Sequence, residues 1–216
     1  MDLWEKYVRS FGFGKPLGID LYGEKDGNVP DVREYDKKYG KNHWNFRTIY
    51  SIAIGQGEFS LTPLQMANLS CILANKGYYY TPRIVKEIGG QKINRPDSLF
   101  YHKTMIDTQH FDLIHNGMQW VLEETGGTAR SSRIKDITIC GKTGTSQNPH
   151  GDDHSIFIAF APRENPKIAL VVFVENAGGG GGTAAPIASL MIEKYLKGKV
   201  ERLKLEKEMV EKRFYD

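Results

Sequence analysis

Ile137-Thr-Ile-Cys-Gly-Lys-Thr-Gly-Thr-Ser-Gln147 is the stretch on which the fold of this chain turns. A β-branched run of period two leads into Gly141-Lys142-Thr143-Gly144-Thr145, and two apolar stretches and a Gly-rich turn follow. The segment reads as a strand whose edge presents a cation, two hydroxyls and bare backbone. Such an edge suits a carboxylate or an oxyanion. Lys142 supplies a point charge, Thr143 and Thr145 supply short donors, and Gly144 leaves the main chain approachable. A phosphate-cradling loop is the rival reading of Gly-Lys-Thr. It requires a glycine five residues before Gly141, where Asp136 stands, and a loop rather than a strand leading in. That reading fails. The tripeptide alone is a weak signal, and its surroundings have to decide.

The 216 residues are 40% hydrophobic and 25% charged, which suits an ordinary globular protein with one sizeable core. The net charge is only +3, with basic residues dispersed among acidic ones, so the sequence carries no nucleic-acid footprint. Cys71 falls in a helical stretch and Cys140 in the key strand, and both read as packed free thiols. No apolar run is long enough to cross a membrane and the N-terminus has no signal-peptide pattern. The chain opens directly on an amphipathic helix, and is therefore read as a piece of something longer. No cofactor is expected.

Outward from the key strand, residues 156–161 and 168–174 are near-continuous apolar runs, expected to be strands covered on both faces and joined as an antiparallel hairpin. Residues 178–182 are all glycine and lead into a helix over 183–197. A flexible turn beside the key strand is the favoured reading of that run, over an anion cradle. Upstream, Asp2-Leu-Trp-Glu5 has the form of a capping box, with Leu3, Tyr7 and Phe11 on one helical face and Gly12 as the stop. Residues 13–45 read as one long irregular segment packed down by Tyr22, Tyr35, Tyr39, Trp44 and Phe46. Thr62-Pro-Leu-Gln65 starts a helix to about Asn75, capped by Thr62 and Gln65 and apolar nearly all round, hence buried at the centre. Residues 83–88 and 91–94 form a hairpin through Gly89-Gly90, residues 95–107 a polar connection, and 109–124 a helix with Phe111, Ile114, Met118, Val121 and Leu122 as its stripe. The tail, 198–216, is expected to be a charged, loosely docked helix with Val200, Leu203, Val210 and Phe214 as a weak stripe. The whole is an α+β fold, a central antiparallel sheet flanked by helices on both faces.

Lys142-Thr-Gly-Thr145, Gly55-Gln-Gly57 with Thr62-Pro-Leu-Gln-Met-Ala67, Gly127-Thr-Ala129 and Phe160-Ala-Pro162 together resemble the penicillin-binding proteins. The likeness is to the class B, elongation-type transpeptidases of the penicillin-binding protein 2 kind. Phe11-Gly-Phe-Gly14 with Gly18-Ile-Asp-Leu21, and Glu175-Asn176 with Ala184-Ala-Pro186, fit the same family. The likeness covers most of 1–197, expected to be the C-terminal portion of a transpeptidase domain, and leaves 198–216 as a tail. The resemblance implies serine acyl transfer onto a peptidoglycan stem peptide ending in D-Ala-D-Ala, with β-lactams acylating the same serine. It implies that Lys142, Thr143, Gly144 and Thr145 bind the substrate, Lys142 and the two threonines at its carboxylate, and that the Thr145 N–H forms half of an oxyanion hole. It also implies a parent anchored in the cytoplasmic membrane, with this part in the periplasm and other cell-wall synthesis proteins as partners.

The family's nucleophile motif, Ser-x-x-Lys, and its Ser-x-Asn motif precede everything matched here. Ser132-Arg-Ile-Lys135 and Ser146-Gln-Asn148 have the right letters in the wrong order and at the wrong spacing, and are read as decoys. No catalytic nucleophile is therefore assigned, and the chain is expected not to catalyse alone. His150-Gly-Asp-Asp-His154 reads as a turn between strands, not a metal site. Two alternatives share the fold: a non-catalytic penicillin-recognition or sensor module, and a D,D-carboxypeptidase or β-lactamase relative.

Overall fold

The computed structural model describes residues 1–93 and 99–213. Asn94 of the expected hairpin, the first part of the 95–107 connection and Phe214 of the tail stripe lie outside the described residues. The chain packs as two compact units, Met1–Gln65 with Gly77–Ile106, and Met66–Lys76 with Asp107–Asp216.

In the first unit, α1 (Asp2–Arg9) is shorter than the sequence suggests, and Asp2 does not cap it. Met1 occupies the cap position and Glu5 pairs instead with Arg9 at 2.6 Å, one turn on. Leu3, expected on a packed face, is exposed. The segment read as wholly irregular contains α2 (Val32–Tyr39), whose Asp31 side chain accepts from the Glu34 N–H at 2.8 Å. Of the aromatics assigned to packing, Tyr35 stacks on Tyr39 and lies tilted against Trp44, whereas Tyr22 and Phe46 face solvent. After α3 (Phe46–Ile49) and a 3-10 turn, Thr62 and Gln65 close the expected reciprocal box: Thr62 N–H donates to Gln65 Oε1 at 3.0 Å and Gln65 N–H to Thr62 Oγ1 at 3.2 Å. They open α4 (Pro63–Ala74).

Small strands complete this unit. β1 (Tyr78–Tyr80) pairs antiparallel with β4 (Tyr101–Lys103), and between them β2 (Glu87–Ile88) pairs with β3 (Gln91–Lys92) through Gly89-Gly90, both at positive φ. The hairpin is shorter than expected, and the connection read as polar coil supplies β4.

The second unit holds the main sheet: β5 (Cys140–Ser146), β6 (His154–Ala161) and β7 (Ile168–Val174), antiparallel in the order 5-6-7. The Lys-Thr-Gly motif lies on a strand as expected, but β5 begins at Cys140 and not at Ile137. On one face Phe157, Ala159, Ala161, Leu170 and Val172 bury against Ala184, Ala185, Ala188 and Ile192 of α6 (Ala184–Lys197). Alanines let the helix approach closely, and each large side chain so buried contributes roughly 1.5–3 kcal/mol. On the opposite face Cys140 and Phe160 pack with Met118 of α5 (Phe111–Glu123) and with Leu73 and Ala74. Cover there is partial: Ile156 and Ile158 are only half-buried. The stripe of α5 also differs from expectation. His115 is buried, its Nε2 2.7 Å from Leu73 O, while Ile114 is exposed. Within α4, Met66, Ala67, Leu69, Cys71 and Leu73 are half-buried rather than enclosed, and the sealed positions include the polar Asn68 and Ser70. Ser70 Oγ donates to Leu170 O at 3.0 Å, which explains a hydroxyl there. The two cysteines are free thiols. α7 (Leu203–Glu211) is the last helix among the described residues, with Leu203 and Val210 largely exposed.

Candidate active site

β5 has β6 on one side and, among the described residues, no strand on the other. An edge strand leaves alternate N–H and C=O groups without ladder partners, and those groups can take an extended ligand. Alternation sets the side chains. The register puts Lys142 and Gly144 opposite Ile158 and Ile156, on the half-covered face, and Thr143 and Thr145 on the face of α6. The lysine and the threonines can therefore converge only around the strand's open edge. Lys142 and Thr145 are exposed and Thr143 half-buried. Lys142 Nζ donates to Thr143 O at 2.6 Å, so the ammonium already curls along that edge.

Thr128, in the segment before the strand, brings its Oγ1 to 2.8 Å from Thr143 Oγ1. Two hydroxyls sharing one proton leave one of them with a donor for a ligand. The sequence singles out Thr128 only within its Gly-Thr-Ala triplet, and the contact with Thr143 comes from the fold.

The glycine run 178–182 forms the other side of this corner. It is anchored, contrary to the flexible turn expected. Gly178 N–H donates to Asp153 O at 2.8 Å and Ser155 Oγ to Gly179 O at 3.2 Å. A Cβ at Gly180 would clash with Ile156 O and stand 2.6 Å from Gly144 O; one at Gly181 would clash with Thr128 O. These glycines are required because backbone lies on backbone. The first N–H groups of α6 are spent within the protein: Ala184 N–H on Ser155 Oγ at 3.0 Å, and Ala185 N–H on Gly180 O at 2.9 Å. That helix end has nothing left for an anion.

Ser132 and Lys135 do not come together as a nucleophile and its base. Ser132 is fully buried at the end of a 3-10 turn, its Oγ without a partner, while Lys135 is exposed. Ser146 closes β5, and Asn148 serves the following turn: its Nδ2 donates to Asn176 Oδ1 at 2.6 Å and its Oδ1 accepts the His150 N–H at 3.0 Å. His154 Nδ1 accepts from Asn176 N–H at 3.1 Å and its ring lies against Phe173. Among the described residues no group of three His, Cys, Asp or Glu side chains could hold a metal. Burial pushes the Cys140 thiol up to about 12, so the cysteine at the root of the strand stays protonated and packs as an apolar residue.

No helix among the described residues is long and apolar enough to cross a membrane. Residues 1–193 match the family described as the penicillin binding protein transpeptidase domain. The chain is 34% identical over 223 residues to the peptidoglycan D,D-transpeptidase MrdA of Haemophilus influenzae, covering 94% of this chain and 34% of that protein. It is 30% identical over 198 residues to the protein of the same name from Escherichia coli, covering 83% and 31%. The chain thus spans about a third of the length of the curated relatives it matches. Among solved structures it resembles Pseudomonas aeruginosa PBP2 in complex with WCK 5153, with a TM-score of 0.80 and 34% identity over 94% of this chain and 44% of that one. It also resembles Helicobacter pylori PBP2 in its complex with MreC, with a TM-score of 0.75 and 30% identity over 91% and 36%.

Proposed function

The chain belongs to the penicillin binding protein transpeptidase domain family, and from that premise we propose that it is the Lys-Thr-Gly portion of a peptidoglycan D,D-transpeptidase of the penicillin-binding protein 2 kind. In the complete enzyme a serine attacks the D-Ala-D-Ala carbonyl of a stem peptide, D-alanine leaves, and the amine of a neighbouring stem takes the acyl group. A β-lactam acylates the same serine. Lys142 pairs with the terminal carboxylate, and the hydroxyls of Thr143 and Thr145 donate to it. Gly144 leaves room for the ligand's backbone, and the N–H of Thr145 supplies one of two oxyanion donors, the other coming from the serine's own N–H. The reaction needs no cofactor.

The observation that supports this reading best is the open edge of β5, where an exposed Lys142 curls along its own strand to the Thr143 carbonyl. The serine is read as lying outside these 216 residues, a reading supported by the burial of Ser132, which heads the one Ser-x-x-Lys they contain. Residues 1–197 are thus part of a catalytic domain and 198–216 its tail. The parent is held in the cytoplasmic membrane with this domain in the periplasm. Its partners are other cell-wall synthesis proteins, as the Helicobacter pylori relative is seen with MreC.

Fluorescent penicillin followed by intact mass tests the reading. The chain alone forms no adduct, and the same chain preceded by its Ser-x-x-Lys segment forms one per molecule. In that longer protein Lys142→Ala lowers the acylation rate on the order of tenfold to a hundredfold, the worth of one charge-assisted hydrogen bond. An adduct on the chain alone that Ser132→Ala abolishes would sink the proposal.

A further inference from the structure

We infer that Arg202 and Lys212, which bracket α7, position the glycine turn 178–182 and through it the hydroxyl side of β5. The inference rests on the proposed function only for what that side binds. α7 buries none of its residues fully, with Leu205 and Met209 only half-buried, so apolar packing alone holds it weakly. Polar ties at its two ends add to that hold. Before the helix, Arg202 Nε donates to Glu193 Oε2 at 3.1 Å and Nη2 to Ser189 Oγ at 3.1 Å, while Nη1 reaches Ser132 O and Arg133 O at 3.4 Å each. Glu193 is 1% exposed, which makes this the anchored end. After the helix, Lys212 Nζ donates to Gly182 O at 2.9 Å and to Thr183 Oγ1 at 3.0 Å.

Those two acceptors close the glycine turn, and Thr183 Oγ1 in turn donates to Ala177 O at its opening, at 3.2 Å. Lys212 therefore ties both ends of the turn through one hydroxyl. Between those ends Gly180 lies on the backbone of Gly144 and Ile156, and Gly181 on that of Thr128, without space for a methyl group. Thr128 shares its hydroxyl with Thr143. A displacement of the turn is thus passed on by contact to Thr143 and Gly144, because close-packed backbone has no slack to absorb it. Lys212 touches no substrate in this scheme. It is a positioning residue.

Hydrogen exchange and methyl NMR on the chain itself test the inference with Lys212→Met, which keeps an aliphatic stem at an exposed position and leaves the buried Glu193–Arg202 pair intact. Loss of a charged donor raises exchange of the amides of 178–183 on the order of tenfold, with β6 and β7 unchanged. The methyl signals of Thr143 and Thr145 shift, and Lys212→Arg restores both readouts. Unchanged exchange at 178–183, a rise spread evenly over the sheet, or no restoration by arginine would overturn it. None of these readouts needs penicillin or turnover. A failed acylation test with this response intact would therefore count against the proposed function alone.

Discussion

In the unit of Met66–Lys76 and Asp107–Asp216 the core ties are apolar and lie within and around a three-stranded sheet, with polar ties at the margin around α7, whereas in the unit of Met1–Gln65 and Gly77–Ile106 many ties run from polar side chains to loop backbone. Glu24 alone accepts the N–H groups of Leu17, Gly18 and Ile19 at 2.6, 2.9 and 3.1 Å. Asp20 accepts those of Ile84 and Val85, and the buried Gln65 amide donates to Lys15 O and Asp26 O. Glu58 gathers Tyr35, Lys38 and Tyr39. Backbone that forms no ladder still has to be paired, and carboxylates and amides do it here. The contrast teaches that one unit should respond to changes of volume and the other to changes of charge and hydrogen-bonding capacity.

The largest expected effect is in the sheet. Phe157 is fully buried, and its ring fills the space over Gly141, where a Cβ would clash with it. Phe157→Ala should cost about 3–5 kcal/mol through lost transfer energy and a residual cavity. Urea unfolding read by β6 and β7 amide exchange measures it. A loss under 1 kcal/mol would mean that the sheet collapses onto the gap, and the volume-limited description of this unit would go with it.

The same contrast accounts for what could be read from the chain. β6, β7 and α6 were legible because apolar runs and helical spacing are local. The Lys142–Thr145 edge was legible because its chemistry is contiguous. α2 escaped because Asp31-Val-Arg-Glu34 has a capping pattern but only Tyr35 is buried in the helix behind it, so no stripe marks it. β4 escaped because three residues carry no period and its partner β1 lies far back in the chain. Asp2 and Glu5 misled for the opposite reason: the letters of a capping box were present, and Arg9 offered Glu5 a better partner. At the site, Thr128 and Lys212 reach their places only through tertiary packing, and no spacing rule reports that.

A middle-sized effect belongs to the polar unit. Glu24→Ala leaves three N–H groups of residues 17–19 without their acceptor, Leu17 being buried. Water can reach the exposed Gly18, so the expected cost is about 2 kcal/mol rather than the sum of three full penalties. Exchange of the 17–19 amides should rise steeply while β6 and β7 stay protected. Equal loss in both units would break the comparison, since it would mean that the polar ties and the sheet unfold as one.

The smallest effect separates the units by pH. The hydrogen bond from Lys38, with help from Tyr35 and against the opposing pull of burial, lowers the Glu58 carboxyl from 4.5 to about 2. A carboxyl with a depressed folded value contributes stability that is complete above its unfolded value and is lost as the pH falls through the folded one. The window is therefore pH 4.5 to 2. Lys38 is half exposed, so solvent screens the pair, and the Glu58 contribution is on the order of 1 kcal/mol. Trp44, whose ring centroid lies 5.4 Å from that of Tyr35, reports on it once Trp4 and Trp120 are replaced by Phe. Its fluorescence should change between pH 4.5 and 2, and Glu58→Gln should flatten that change while lowering stability at neutral pH. β6 and β7 protection should not follow the same curve, because the cluster around Phe157 holds no titrating group. If Trp44 and the sheet amides titrate together in the native sequence and in Glu58→Gln alike, the acid response belongs to the whole chain and not to this carboxylate.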